Sequence, residues 1–153
     1  KYIPIGFFDK DVISTNANLI IPNATLFEFG VLTSNVHMAW MRTVAGRLKS
    51  DYRYSAKIVY NNFPWVKPTE KQKETIEETA QKILDARKLY PECSLSELYG
   101  KHFKYYSELF KAHKNNDAAV MNAYGFNWKT MSEDDCVAEL MKMYQELTKS
   151  KDA

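Results

Sequence analysis

The chain has 153 residues, 45% hydrophobic and 14% aromatic, enough apolar surface for one domain or two small ones with a packed core. No apolar run approaches the roughly 20 residues of a membrane span, no charged-then-apolar leader marks a secretory signal, and Cys93 and Cys136 have no His or Cys neighbours at metal spacing. These features set aside membrane, disulfide-framework and zinc-binding classes, and predict a soluble, cytoplasmic protein with reduced, buried thiols.

The net charge of +2 is unevenly spread. Residues 1–68 carry eight Lys and Arg against four Asp and Glu, whereas residues 69–153 carry thirteen against fifteen. Within 42–57 the cations Arg42, Arg47, Lys49, Arg53 and Lys57 face only Asp51, so a polyanion is expected there. The chain opens on Lys1 rather than Met, in what reads as the middle of a structured element, so an excised piece of a longer polypeptide is expected.

In chain order, residues 2–21 alternate short β-favouring runs with Asp, Asn, Ser and Pro, and two or three short strands are predicted. Thr25-Leu26-Phe27-Glu28 has capping-box form and opens a helix whose apolar positions Phe29, Leu32, Val36, Trp40 and Val44 keep helical spacing as far as Gly46. Thr33-Ser34-Asn35 is a point where that run can split in two. From 52 to 60 the period changes to two, with Tyr54, Ala56, Ile58 and Tyr60 on a packed face and Arg53, Ser55, Lys57 and Val59 on a wet one. Phe63-Pro64-Trp65-Val66-Lys67-Pro68 cannot continue a ladder and marks a boundary between two units.

The second unit reads as helical throughout. Thr69-Glu70-Lys71-Gln72 is another capping box, with Ile76, Ala80, Ile83, Leu84 and Arg87 in register before Pro91. Ser94-Leu95-Ser96-Glu97 caps a short turn. A run at 107–124 carries Leu109, Ala112, Ala119, Val120 and Ala123 and closes on Gly125. Ser132 to Asp135 opens a last helix with Val137, Leu140, Met141, Tyr144 and Leu147 as its stripe, and residues 149–153 are expected to fray. The predicted fold class is α+β, mostly α: short strands and a buried helix at the N-terminal end, then a helical domain.

The residues that carry recognisable chemistry cluster in one place. Gly46-Arg47-Leu48-Lys49-Ser50-Asp51-Tyr52-Arg53-Tyr54-Ser55 interleaves cations, which neutralise phosphates, with hydroxyls that donate to them and flat aromatic faces. The competing structural reading is a solvated strand face with Asp51 paired to Arg53 or Lys49. His37 reads as a core imidazole, and His113 and Asp117, four apart on a helix, as a structural pair; His102 in its loop is uninformative. Asn61-Asn62-Phe63-Pro64-Trp65 has some of the residue types of the Asn-Pro-Pro-Tyr loop of amino-methyltransferases but lacks the paired prolines that fix its geometry. There is no glycine-rich turn for a cofactor and no nucleophile triad or nuclease motif, so no catalytic or metal-binding residue is assigned.

The run at 32–55, which contains Asn35-Val36-His37-Met38-Ala39-Trp40-Met41-Arg42 and continues through the basic segment, resembles the Mme-type (type IIL) restriction-modification methyltransferases. Val59-Tyr60-Asn61-Asn62-Phe63-Pro64-Trp65 resembles the end of that family's target-recognition domain. Ile83-Leu84-Asp85-Ala86-Arg87, Ser94-Leu95-Ser96-Glu97-Leu98-Tyr99 and Ala112-His113-Lys114-Asn115-Asn116-Asp117-Ala118-Ala119-Val120 resemble its C-terminal helical domain. At 100–106 a Lys- and Tyr-containing insert replaces the usual Asp-Pro-rich loop.

The resemblance implies a bacterial parent protein that transfers a methyl group from S-adenosylmethionine to adenine N6 in a short DNA site, often with a fused nuclease, with that machinery upstream. Residues 1–67 would close the recognition domain and residues 68–153 form the C-terminal helical domain. Double-stranded DNA and the upstream methyltransferase domain are the partners implied, with no cofactor held by this piece, which alone is expected to be inactive. Arg47, Lys49, Asp51, Arg53, Ser55 and Lys57 are the expected DNA-facing residues, with Arg53 or Asp51 reaching a base edge. The rival readings are a helical protein-interaction or specificity module with no enzyme of its own, and a free-standing nucleic-acid-binding protein with no enzyme attached. A glycine-rich cofactor motif and an Asn-Pro-Pro-Tyr loop in the upstream reading frame would separate them from the methyltransferase reading.

Overall fold

A computed structural model of the chain describes residues 2–15, 18–49 and 51–149. Fraying is expected over 149–153: Lys149 is still helical, and residues 150–153, like Lys1 and Ser50, lie outside the described residues. The α+β, mostly α architecture is present: helices pack around one core, and a two-stranded hairpin is the only sheet among the described residues.

The strands expected before residue 21 do not form among the described residues. Those β-favouring runs have no partner strand, and a strand without a ladder leaves its backbone to water. The segment is instead an irregular strap pinned at its first residues. Tyr2 is buried and its hydroxyl donates to Asp117 Oδ2 at 2.6 Å, while the Ile5 carbonyl accepts from Arg87 Nη1 at 2.7 Å. Farther along, Phe7, Phe8, Val12, Ile13, Leu19 and Ile20 are exposed.

Helix α1 spans Leu26–Thr33 and α2 spans Asn35–Val44. Thr25 and Glu28 complete the reciprocal capping box, and the split falls at Ser34, whose side chain accepts from the His37 amide as N-cap of α2. Both helices are largely buried, as their nearly continuous apolar faces require.

Strand β1, Gly46–Leu48, pairs antiparallel with β2, Asp51–Arg53, in the register Gly46↔Arg53, Arg47↔Tyr52 and Leu48↔Asp51. Lys49 enters the connection at φ 58, in the left-handed region. The alternation expected as far as residue 60 stops at Arg53. Since α2 runs to Val44 and Ala45 caps it, β2 has no partner beyond Gly46, and the chain curls into a π turn at Ala56–Tyr60 with Asn61 N–H donating to the Ala56 carbonyl at 2.8 Å. The faces differ accordingly from the period-two expectation: Val59 is fully buried and Ile58 is 50% exposed.

Helix α3 spans Glu70–Arg87, α4 Leu95–Leu98, α5 Ser107–Ala123 and α6 Glu133–Lys149, with a 3₁₀ turn at Phe103–Tyr105. The capping boxes at Thr69/Gln72 and Ser94/Glu97 are both closed, and Gly125 ends the α5 segment at φ 75. The α1 helix packs on α3 and α5, and α2 packs on α5 and α6, so the two sequence units share one core. The α1–α3 approach is close. A Cβ on Gly30 would lie 2.7 Å from Ile76 Cγ2, and the Gly30 carbonyl accepts from Asn116 Nδ2 at 2.8 Å. Thr79 Oγ1 donates to Asn116 Oδ1 at 3.1 Å, which gives the oxygen of that buried amide its partner.

Candidate nucleic-acid interface

The hairpin projects from the end of α2, and two bonds to α2 hold the chain on its far side. His37 Nε2 lies 2.9 Å from the Tyr54 hydroxyl, and Trp40 Nε1 donates to the Val59 carbonyl at 3.0 Å. His37 and Trp40 are buried, and burial pushes the His37 imidazole down to about 4, so it is neutral at ordinary pH. His37 is thus a core residue, as its sequence context suggests, yet it also anchors the chain just after β2. Phe63 packs edge-on against it with ring centroids 4.6 Å apart.

Each expected site residue can be placed. Arg47, Asp51, Arg53 and Lys57 are exposed, Lys49 is exposed at the connection, and Ser55 is half-buried just before the π turn. The pleat puts Arg47 and Tyr52 on one side of the ribbon and Asp51 and Arg53 on the other. Arg47 lies over the Tyr52 ring, 4.0 Å from its centre, and its Nη2 donates to the Tyr52 hydroxyl at 2.9 Å. That contact holds the guanidinium at the surface of the ribbon. The ion pairs expected under the structural reading, Asp51 with Arg53 or Lys49, do not form. Among the described residues Lys49, Arg53 and Lys57 have no carboxylate partner.

One member of the basic segment is removed from it. Arg42 forms a two-pronged pair with Glu133 at the start of α6, Nε to Oε1 at 2.7 Å and Nη2 to Oε2 at 2.9 Å. Its charge is spent within the fold, across 91 residues, and spacing alone gives no sign of that.

The other polar candidates are structural. Asp117 accepts from the Tyr2 hydroxyl and, through Oδ1, from the Asn35 amide at 2.8 Å, while His113 Nε2 lies 2.6 Å from the Tyr99 hydroxyl. Arg87 donates to that same hydroxyl through Nε and Nη2. The thiols differ from expectation in one respect. Cys136 is buried, with burial and then the charge of Glu133 pushing it up to about 11, but Cys93 is only half-buried because it lies in the turn after α3. No group of His, Cys, Asp and Glu suited to a metal ion occurs among the described residues, and no described helix is long and apolar enough to cross a membrane.

Among the described residues no glycine-rich turn of the kind that cradles S-adenosylmethionine occurs. The sole sheet among the described residues is the hairpin, and none of Gly6, Gly30, Gly46, Gly100 and Gly125 lies between a strand end and a helix start, where backbone amides gather around a nucleotide.

The fold and this surface define a helical body that holds a short basic ribbon out to solvent on buried anchors. The chain belongs to the MmeI family: residues 1–67 match its target recognition domain and residues 67–151 its C-terminal domain. DNA methyltransferase A of Bacillus subtilis (strain 168) is 40% identical over 147 residues, which are 96% of this chain and 16% of that protein. The type IIL restriction-modification enzyme MmeI, solved in complex with DNA, is 49% identical, with a TM-score of 0.89 over 97% of this chain and 20% of its own. The chain therefore spans about a fifth or less of the length of these relatives.

Proposed function

We propose that this chain is the DNA-contacting C-terminal part of a site-specific, S-adenosylmethionine-dependent DNA adenine-N6 methyltransferase of a restriction-modification system. It contributes recognition and not methyl transfer, is inactive by itself, and works in the cytoplasm, as part of a parent that can carry a fused endonuclease upstream. The observation that carries this reading is the hairpin and the turn after it: Lys49 and Arg53 on the ribbon and Lys57 in the π turn have no carboxylate partner among the described residues, in a stretch anchored through Tyr54 and Val59 in a chain that belongs to the MmeI family. A backbone held this way loses little freedom when phosphates arrive, so the ordering cost is confined to the cationic side chains.

In this reading Arg47, Lys49 and Lys57 neutralise phosphates, Ser55 donates to one, and Arg53 or Asp51 reaches a base edge. Arg donates to the two acceptors of guanine, and a carboxylate accepts from the amino group of cytosine. Residues 1–67 end the recognition domain and residues 68–153 brace it. The exposed side chains of Phe7, Phe8, Val12, Leu19 and Ile20, which line a concavity of about 430 Å³ beside α1, support contact with upstream parts of the parent, the methyltransferase domain among them.

Binding of duplex DNA by the full-length polypeptide tests the assignment. Lys49→Ala is expected to weaken binding evenly across sequences and to lower the salt slope by about one unit. Arg53→Ala is expected to relax specificity at one position, at a cost of about 1 to 3 kcal/mol for the cognate site. Unchanged affinity of both variants at low salt would remove the hairpin from the interface and favour a protein-docking module, which size-exclusion with a candidate partner would detect.

A further inference from the structure

Away from the hairpin, a second concavity of about 620 Å³ opens at the start of α2 and joins Asn35, Lys114, Asn115, Met121, Trp128 and Lys129. Trp128 is 49% exposed, although it sits in a well-fixed turn: the Asn127 carbonyl accepts from the amides of Thr130 at 3.2 Å and Met131 at 2.8 Å, and Asn127 Oδ1 accepts from the Lys129 amide at 3.1 Å. The Lys129 ammonium lies 5.5 Å from the centre of the indole ring. Asn35 donates from Nδ2 to the Met121 sulfur at 3.3 Å and leaves Oδ1 buried without a partner among the described residues.

The local charge agrees with this chemistry. Although the helical half is acidic overall, the residues that line the concavity include Lys114 and Lys129 against Asp117 alone. Asp117 is 4% exposed and its two oxygens already accept from Tyr2 and Asn35, so it turns inward. The concavity thus offers a flat aromatic face and two ammonium groups, in a volume suited to a small ligand.

We propose that this concavity binds an unpaired nucleotide, with its base stacked on Trp128 and its phosphate held by Lys114 and Lys129. Stacking on an exposed indole accepts any base, and the lysines supply the phosphate attraction. Helix α2 spans about 15 Å between the concavity at its start and the hairpin after its end, a distance that an extended strand covers in a few nucleotides.

The test compares the 153-residue chain with Trp128→Ala and with the double variant Lys114→Glu/Lys129→Glu, circular dichroism verifying that each is folded. Anisotropy of a labelled single-stranded thymidine oligonucleotide is expected to show binding that weakens about fivefold to 100-fold in Trp128→Ala. The double variant should weaken it at least as much and flatten its salt dependence. The oligonucleotide should also quench tryptophan emission in the parent chain. Quenching by deoxyadenosine monophosphate alone identifies a free nucleotide as the ligand, and quenching by the oligonucleotide alone identifies a nucleic-acid strand; both support the site. Absence of binding, or equal binding by all three proteins, overturns it, as does a polyglutamate peptide that binds more tightly than the oligonucleotide, which would mark an acidic protein partner. Lys49→Ala and Arg53→Ala report on duplex binding separately, so either proposal can fail while the other stands.

Discussion

The two ends of α2 treat charge in opposite ways. At its start, the Asp117 carboxylate is buried and both oxygens accept from named donors, so a charge inside the protein closes the strap of residues 2–5 onto α5 and α2. Past its end, Lys49 and Arg53 on the ribbon and Lys57 in the π turn lie in solvent without carboxylate partners among the described residues, in a stretch held by a buried indole and imidazole one and two turns back along the helix. A buried charge must be satisfied by the fold, because desolvation otherwise exceeds anything the fold gains. An exposed cation imposes no such demand, so residues at the hairpin can change while the body that presents them stays as it is.

The sharpest way to break that separation is to cut the anchor from the core side. Trp40→Ala removes a fully packed indole and frees the Val59 carbonyl, and is expected to cost about 4 kcal/mol in denaturant unfolding while loosening the π turn. Asp117→Ala leaves the Tyr2 hydroxyl and Asn35 amide without their acceptor and is expected to cost about 3 kcal/mol, with no direct effect on the hairpin.

The anchor also has a pH signature. Folding lowers His37 from 6.5 to about 4, so the unfolded chain takes up the proton first. Its contribution is whole above about pH 6.5 and is lost as the pH falls toward 4, by at most about 3 kcal/mol. A His37→Gln variant should show a flatter stability profile across that window, and an unchanged slope would argue against the buried neutral imidazole. At the other extreme, Lys49→Ala should shift stability by no more than about 0.5 kcal/mol, since neither residue gains or loses a partner and both carry a Cβ at the same backbone angle.

How much of this could be read in advance depends on the range of the forces involved. The capping boxes at Thr25, Thr69 and Ser94 join residues three apart, and each forms as spelled out. The split at Ser34 is equally local. The residues before 21 favour strands by composition, but a strand needs a neighbour, and none is supplied among the described residues. The alternation after Arg53 fails for the same reason, because the end of α2 shortens the available partner to three residues. In the surface region, the cluster of cations and tyrosines is visible in the sequence, whereas the withdrawal of Arg42 by Glu133 and the convergence of Trp128 with Asn35 depend on tertiary packing across 91 and 93 residues.

The backbone angle at Lys49 also limits what evolution or an engineer can place at the ribbon's tip. With φ at 58, valine, isoleucine and threonine would be penalised there regardless of what they met outside the protein, while glycine and asparagine would be welcomed. The vocabulary of side chains offered at that position is therefore narrowed by local stereochemistry before any partner has a say, and attempts to retune this tip should begin with asparagine, aspartate, lysine or glycine.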